Sequence, residues 1–269
     1  MKRILVPTDF SPNADKALNF AVQIARKAGA EIMLIHAVET LAEDDDFKKM
    51  KDKLELVASS ISTSEMVETS TRIFHDSSVN SVINAVYEHK PDLVVMGTNG
   101  SSGLKEMVYG SRTAAVIGRS PVPVLAVPLL AEWKLPRKIL LAVNKFNVPE
   151  KLLAPVITMA KYYASSIQVT VFTDMDDDYV EDFQKNEARV ADFRDSLRER
   201  YPDTEIHAVH LAGRHFRESL QGWIDKENID MLVMLTHRRT LIGSIFNSSM
   251  TKKMSYHTNI PLLAIPDNN

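Results

Sequence analysis

The sequence predicts an α/β protein made of two tandem, doubly wound, five-stranded parallel-sheet domains. Three observations carry this. The chain repeats itself at an offset of 135 to 138 residues: Arg3–Val6 (RILV) recurs as Lys138–Leu141 (KILL), and Pro91–Met96 (PDLVVM) recurs as Ile229–Met234 (IDMLVM). Pro123–Pro128 (PVLAVP) recurs in turn as Pro261–Pro266 (PLLAIP), and a repeat of this length is a duplicated structural unit. Within each copy, short runs of aliphatic and β-branched residues alternate with longer amphipathic stretches, the signature of strand–helix–strand units. Runs such as LVVMG are apolar on consecutive residues, as suits a parallel sheet covered on both faces.

The strands expected in the first copy are 3–8, 31–37, 70–75, 92–97 and 122–127. Those of the second are 138–143, 167–172, 205–210, 230–235 and 261–265. Between the first two strands, Ala14, Ala17, Leu18, Ala21, Ile24 and Ala25 recur at helical spacing over 14–28. Ser11 followed by Pro12 predicts the start of that helix, the hydroxyl capping free backbone N–H groups and proline occupying a position that needs no donor. Val79–His89 reads as a second helix, ended before Pro91. The segments 41–68 and 179–200 each place an acidic run before a charged stretch, a polar linker leading into an exposed helix. A seam is expected within Leu129–Arg137, giving domains 1–132 and 133–269.

Composition narrows the function. The 269 residues are 45% apolar and 25% charged with a formal net charge of -3, a globular balance offering no general attraction to nucleic acid or an anionic membrane. The absence of cysteine removes disulfides, thiolate nucleophiles and thiolate-bound zinc. The N-terminus, MKRILVPTDF, reads as neither signal peptide nor membrane span, so a cytoplasmic protein is expected.

Ligands of doubly wound sheets bind at the carboxyl ends of the strands near a topological switch, which points to the loops after the first and fourth strands. The latter reads GTNGSSGLKEMVYGSRT from Gly97 to Thr113, and five of the chain's nine glycines lie between Gly97 and Gly118. Glycine lets backbone N–H groups turn toward an anion and lets phosphate approach closely, and Gly110-Ser111 then opens a helix whose N-terminus favours negative charge. The alternative is that these glycines serve turns and close helix–sheet packing. The loop is neither a Walker A sequence nor a dinucleotide fingerprint.

The spacing Gly97-x2-Gly100-x9-Gly110-Ser111, with Asp9 ending the first strand and PVPVLAVP as the closing strand, resembles the universal stress protein family over essentially the whole chain. The resemblance implies Rossmann-like domains related by a pseudo-two-fold axis, their closing strands 122–127 and 262–265 pairing within the chain. It also implies ATP as the cofactor, with or without Mg²⁺, since this glycine pattern marks the family's ATP-binding members. By position, Gly97 and Gly100 would approach ribose and phosphates, Gly110 and Ser111 the phosphates, Asp9 the ribose or adenosine side, and the backbone of Ala37 the adenine. Pro7 and Thr8 shape the Asp9 turn, and Asn99, Arg112 and Thr113 complete the candidate contacts. Arg112 stands where the family often has a small apolar residue; its guanidinium either reaches a phosphate or is solvated, and solvation is the preferred reading. Asp9 has a local alternative too, capping nearby backbone N–H groups, and His36 reads as a satisfied core histidine.

Aligned on the first copy, the second places Leu235, Arg238 and Ser248 opposite Gly97, Gly100 and Gly110, and Asn144 opposite Asp9. Leucine and arginine would intrude where backbone must meet phosphate, so the second copy should not hold ATP in the same pose. Thr236–Arg239 could hold an anion through side chains, though a solvated basic loop is the simpler reading. His207, His210, His215 and His237 show no metal-ligand spacing, and the acidic runs lack calcium-loop spacing. The function expected is a nucleotide-responsive stress protein, associated as a homodimer; a slow ATP hydrolase or phosphotransferase, and a nucleotide-independent scaffold, are the alternatives.

Overall fold

The computed structural model of the chain describes residues 1–38, 44–98, 110–143, 146, 148–174, 179–237 and 259–267. These divide into a first unit, Met1–Trp133, and a second, Lys134–Leu235 with Ile260–Asp267. The first runs β1 (Arg3–Pro7), α1 (Pro12–Ala28), β2 (Glu31–Ala37), α2 (Asp44–Ser64), β3 (Thr69–Phe74), α3 (Ser78–His89), β4 (Leu93–Gly97), α4 (Ser111–Arg119) and β5 (Val124–Val127). The second runs β6 (Lys138–Ala142), α5 (Glu150–Tyr163), β7 (Ser166–Asp174), α6 (Tyr179–Arg200), β8 (Ile206–Gly213), α7 (Phe216–Glu227), β9 (Met231–His237) and β10 (Leu262–Asp267).

The strand order of the first unit is β3-β2-β1-β4-β5 and that of the second is β8-β7-β6-β9-β10, so the two units share one topology. The pairings β1–β2, β2–β3, β1–β4 and β4–β5 are parallel, as are β6–β7, β7–β8 and β6–β9. Parallel strands need crossover helices, which bury both faces of the sheet. Ile4, Leu5 and Val6 of β1 and Leu93, Val94 and Val95 of β4 are accordingly buried without a polar side. The chain turns to β2 on one flank of β1 and returns to β4 on the other, which opens a crevice at the carboxyl ends of β1 and β4.

Several strand ends depart from the sequence-based bounds by one to three residues, two of them for clear local reasons. The closing strand of the first unit starts at Val124 rather than 122, because Pro121 and Pro123 have no N–H to give a ladder and Val122 N–H is held by Ser120 Oγ at 3.2 Å. β8 runs on to Gly213 instead of stopping at 210, since β7 extends to Asp174 and the two pair through Asp174 and Gly213. Ser11 caps α1 as its hydroxyl accepts from Ala14 N–H at 3.2 Å, with Pro12 as the first helical residue. Pro155 lies inside α5.

The duplicated structure is most literal at the amino ends of the strands. The Asp92 carboxylate, just before β4, accepts from the N–H groups of Lys2 at 2.5 Å and Arg3 at 3.0 Å. Asp230, just before β9, accepts from those of Arg137 and Lys138, both at 2.9 Å. Each carboxylate thereby holds the first residues of the unit's central strand beside its neighbour. The helix ends repeat as well: α1 and α5 stop at left-handed Gly29 (φ 63°) and Ala164 (φ 51°), and α3 and α7 at left-handed Lys90 (φ 48°) and Asn228 (φ 53°). Residues 129–137 hold no helix or strand; Trp133 meets Phe20 edge-on at 5.0 Å in the first unit, and Lys134 pairs with Asp230 at 2.8 Å in the second.

Two stability outcomes follow from these ends. Ala164→Gly, which copies Gly29 at an exposed left-handed position, should raise stability by about 1 kcal/mol, read as a higher midpoint in urea or heat. At Asp92 burial opposes the charge, but the N–H groups of Lys2 and Arg3 and the nearby N-terminal and Lys2 charges outweigh it and hold the carboxyl below its ordinary value. Its stabilising contribution is therefore complete above the ordinary carboxylate range and fades as pH falls through the depressed value. Asp92→Asn should cost stability at neutral pH and flatten the acid limb of the stability–pH curve; an unchanged limb would show that the carboxylate contributes nothing there.

Candidate functional site

The crevice at the carboxyl ends of β1, β2 and β4 is a cavity of about 240 Å³, large enough for a compact aromatic group rather than a whole drug-sized ligand, for which roughly 300 Å³ or more is usual. Of the residues expected from sequence, Pro7, Thr8, Asp9, Ala37, Gly97, Arg112 and Thr113 line it together. Gly110 and Ser111 are the N-cap and first residue of α4, next to that lining. Asn99 and Gly100 lie outside the described residues, as do Asn144, Arg238 and Ser248 of the second unit.

Each wall has a local cause. Beyond Pro7, Thr8 N–H donates to the Ile35 carbonyl at 2.8 Å and its hydroxyl accepts from Phe10 N–H at 3.0 Å. The Asp9 carboxylate accepts from Ser11 N–H at 3.1 Å, so the local capping role is real. A carboxylate has about four lone-pair sites, and Asp9 also lines the cavity. The Thr113 hydroxyl lies 3.0 Å from the Gly97 carbonyl and 3.2 Å from that of Thr98. Gly110 N–H donates to the Thr98 carbonyl at 2.7 Å. These bonds seat the start of α4 on the end of β4, and they give buried Thr113 a tethering role.

The N-termini of α1, α3 and α4 all contribute to the lining, through Ala14, through Ser78 and Val79, and through Arg112 and Thr113. Their first-turn N–H groups make one region of positive potential. Ser11 and Ser77 cap α1 and α3 with their hydroxyls, whereas α4 starts at Gly110 with no side-chain cap. Arg112 is exposed on the cavity's border. The floor is apolar, formed by Ile35, Val82, Met96 and Val116, a surface suited to a flat ring.

Gly97 carries a packing constraint. A Cβ there would stand 2.6 and 2.7 Å from the Asn13 side chain and 2.9 Å from its carbonyl oxygen. Asn13 is itself 3% exposed, and its amide donates to the Val127 carbonyl at 3.0 Å. Close helix–sheet packing, the alternative weighed for these glycines, thus applies at Gly97, which borders the cavity as well.

Sequence reasoning assigned no site role to Asn13, which packs against Gly97, or to the α3 residues Ser78, Val79, Ser81 and Val82, which complete the cavity wall. A signal existed: Ser77 caps a helix directly after β3, and in a doubly wound sheet that helix begins at the same carboxyl edge as the switch point. His36, read as a core residue, is half-buried with its Nδ1 2.8 Å from the Thr8 carbonyl. Among the described residues no three His, Asp or Glu side chains gather as a metal site, and His207 pairs with Glu205 at 2.8 Å. His210 lies 2.7 Å from Thr173 Oγ1, stacked on Phe183 with centroids 4.2 Å apart. Burial pushes the His210 imidazole toward its neutral form against the opposing pull of Glu187.

The universal stress protein family model matches residues 1–128 and again 136–266. Universal stress protein MJ0531 of Methanocaldococcus jannaschii is 31% identical over 146 residues, covering 47% of this chain and 81% of that protein. A universal stress protein of Thermus aquaticus is 26% identical over 134 residues, covering 47% of this chain and 98% of its own length. Over nearly the full length, the chain shares the fold of a universal stress protein from Archaeoglobus fulgidus, with a TM-score of 0.75, 17% identity and 98% coverage of both chains. No helix among the described residues is long and apolar enough to cross a membrane.

Gly97→Ala should destabilise the protein by about 1–3 kcal/mol, the usual cost of overpacking, because the atoms in the way include backbone. A melting temperature equal to that of the parent chain would show that α1 can move aside freely.

Proposed function

The chain belongs to the universal stress protein family, in two tandem copies, and on that footing we propose that its first unit binds ATP and responds to it as a regulatory stress protein. One observation carries the reading: seven residues chosen from sequence for nucleotide contact surround a single cavity whose border includes the first turn of a helix with no side-chain cap. In this pose the adenine enters the apolar floor beside the Ala37 backbone. The ribose hydroxyls meet Asp9, and the phosphates extend toward Gly110 and Ser111, where helix N–H groups offset their charge, and toward Arg112, whose place in the cavity lining favours phosphate contact over the solvated alternative. Mg²⁺ would arrive with the phosphates; no acidic residue other than Asp9 borders the cavity among the described residues.

The second unit has Leu235, 3% exposed, at the register of Gly97, and its sequence has Asn144 for Asp9 and Arg238 for Gly100. It therefore does not take ATP in this pose. ATP acts as a ligand that binds one conformation or assembly better than another and so shifts its population. The protein is read as working in the cytoplasm and pairing with a second copy.

Calorimetry should give one ATP site per chain. At a hundred times the dissociation constant, ATP should add about 2.7 kcal/mol to the stability of the site-bearing unit. Gly100→Arg, which copies Arg238 into the first unit, should abolish binding. Arg112→Ala should weaken ATP by about tenfold and leave adenosine unchanged, as expected for loss of one charge-assisted contact. Absence of both a bound nucleotide and a thermal shift would overturn the ATP reading.

A further inference from the structure

The turn that carries Asp9 is held in an unfavourable backbone conformation. Phe10 has φ 60°, in the left-handed region that a bulky L-residue avoids. Such a conformation persists where its surroundings over-determine it, and these places cluster at functional sites. Three local bonds shape the turn: Thr8 N–H to the Ile35 carbonyl, Phe10 N–H to Thr8 Oγ1, and Ser11 N–H to Asp9 Oδ1.

A further restraint comes from β2 through a side chain. His36 Nδ1 lies 2.8 Å from the Thr8 carbonyl. A carbonyl oxygen only accepts, so Nδ1 carries the proton and donates. The same imidazole packs against the Phe10 ring, with centroids 4.8 Å apart at 38°, and Lys53 of α2 sets its ammonium 4.2 Å from the centroid of that ring. One side chain thus grips the residue before Asp9 by hydrogen bond and the residue after it by ring contact.

The second unit shows what the clamp is not needed for. Register places Val171 at the position of His36 and Thr170 at that of Ile35. Val143 N–H still donates to the Thr170 carbonyl at 2.9 Å, the counterpart of the Thr8 bond. The strand exit therefore forms without a histidine. Asn144 follows in sequence where the first unit has Asp9, so the unit without the histidine also lacks the acid.

We infer that His36 is a positioning residue of the nucleotide site: its Nδ1–H on the Thr8 carbonyl and its ring against Phe10 fix the turn that aims the Asp9 carboxylate at the ribose hydroxyls. This rests on the ATP reading. Its signature is ribose discrimination, because a loosened turn lets Asp9 leave the hydroxyls while adenine and phosphates keep their own contacts.

The test titrates the full chain with ATP and with 2′,3′-dideoxyATP by calorimetry. The parent chain should prefer ATP by about tenfold, the scale of a hydrogen bond to a charged group, and Asp9→Ala should erase that preference. His36→Asn places its amide N–H near the position of Nδ1 and should retain the preference. His36→Gln, whose amide reaches the position of Nε2 instead, should reduce it to about twofold or less, as should His36→Leu. Equal ribose preference in the Asn and Gln variants would overturn the inference, and these two decide the matter if the Leu variant does not fold. A parent chain that binds ATP without ribose preference overturns it while sparing the ATP reading; one that binds no ATP overturns both.

Discussion

The first unit's site depends on one close approach, the Asn13 amide lying against the bare backbone of Gly97 and donating to the Val127 carbonyl. That contact joins the start of α1 to the ends of β4 and β5, which are themselves paired through Gly97 and Val127. With α1 fixed this near to the sheet, the turn from Thr8 to Ser11 has little length in which to reverse direction, and Phe10 takes a left-handed conformation. On the far side, the Gly97 and Thr98 carbonyls remain available to receive Thr113 and Gly110, so the same strand end seats α4. The crevice between these two helix starts is the cavity.

The second unit shows the consequence of relaxing that contact. Register puts buried Leu235 where the first unit has Gly97, and in sequence the buried Val148 stands opposite Asn13. A leucine at the strand end removes the space that glycine leaves, and valine cannot make the bond that an amide makes. α5 begins at Glu150, three residues later in register than α1 at Pro12. Among the described residues it does not approach β9 as α1 approaches β4. The leucine at the strand end and the later helix start thus go together in the packing.

Much of this was legible in sequence because its causes are local. Consecutive apolar residues in LVVMG and the strand–helix alternation gave the parallel sheets, Ser11-Pro12 gave the start of α1, and the glycines with Asp9 gave the two loops at the switch point. What sequence did not reveal depends on which residues meet across elements. Asn13 looks like any polar residue in a helix's first turn until its partner 114 residues away is known. His36 sits in an apolar strand and reads as core, yet its hydrogen bond is to a turn 28 residues earlier. The α3 wall follows from strand order, which alternation alone leaves open.

The two edges of each sheet have taken different roles. At the amino ends, Asp92 and Asp230 make the same pair of backbone bonds, and helices in both units stop at left-handed residues in corresponding places. At the carboxyl ends, Gly97, His36 and Asp9 give way to Leu235, Val171 and Asn144. Parallel topology makes this division possible, since every crossover returns the chain to the amino edge before the next strand and leaves the carboxyl-edge loops free of a common register. Stability can then be maintained at one edge while the other gains or loses a ligand. The second unit keeps the strand order and the amino-edge backbone bonds of the first without counterparts of Gly97, His36 and Asp9, so the fold itself does not depend on them.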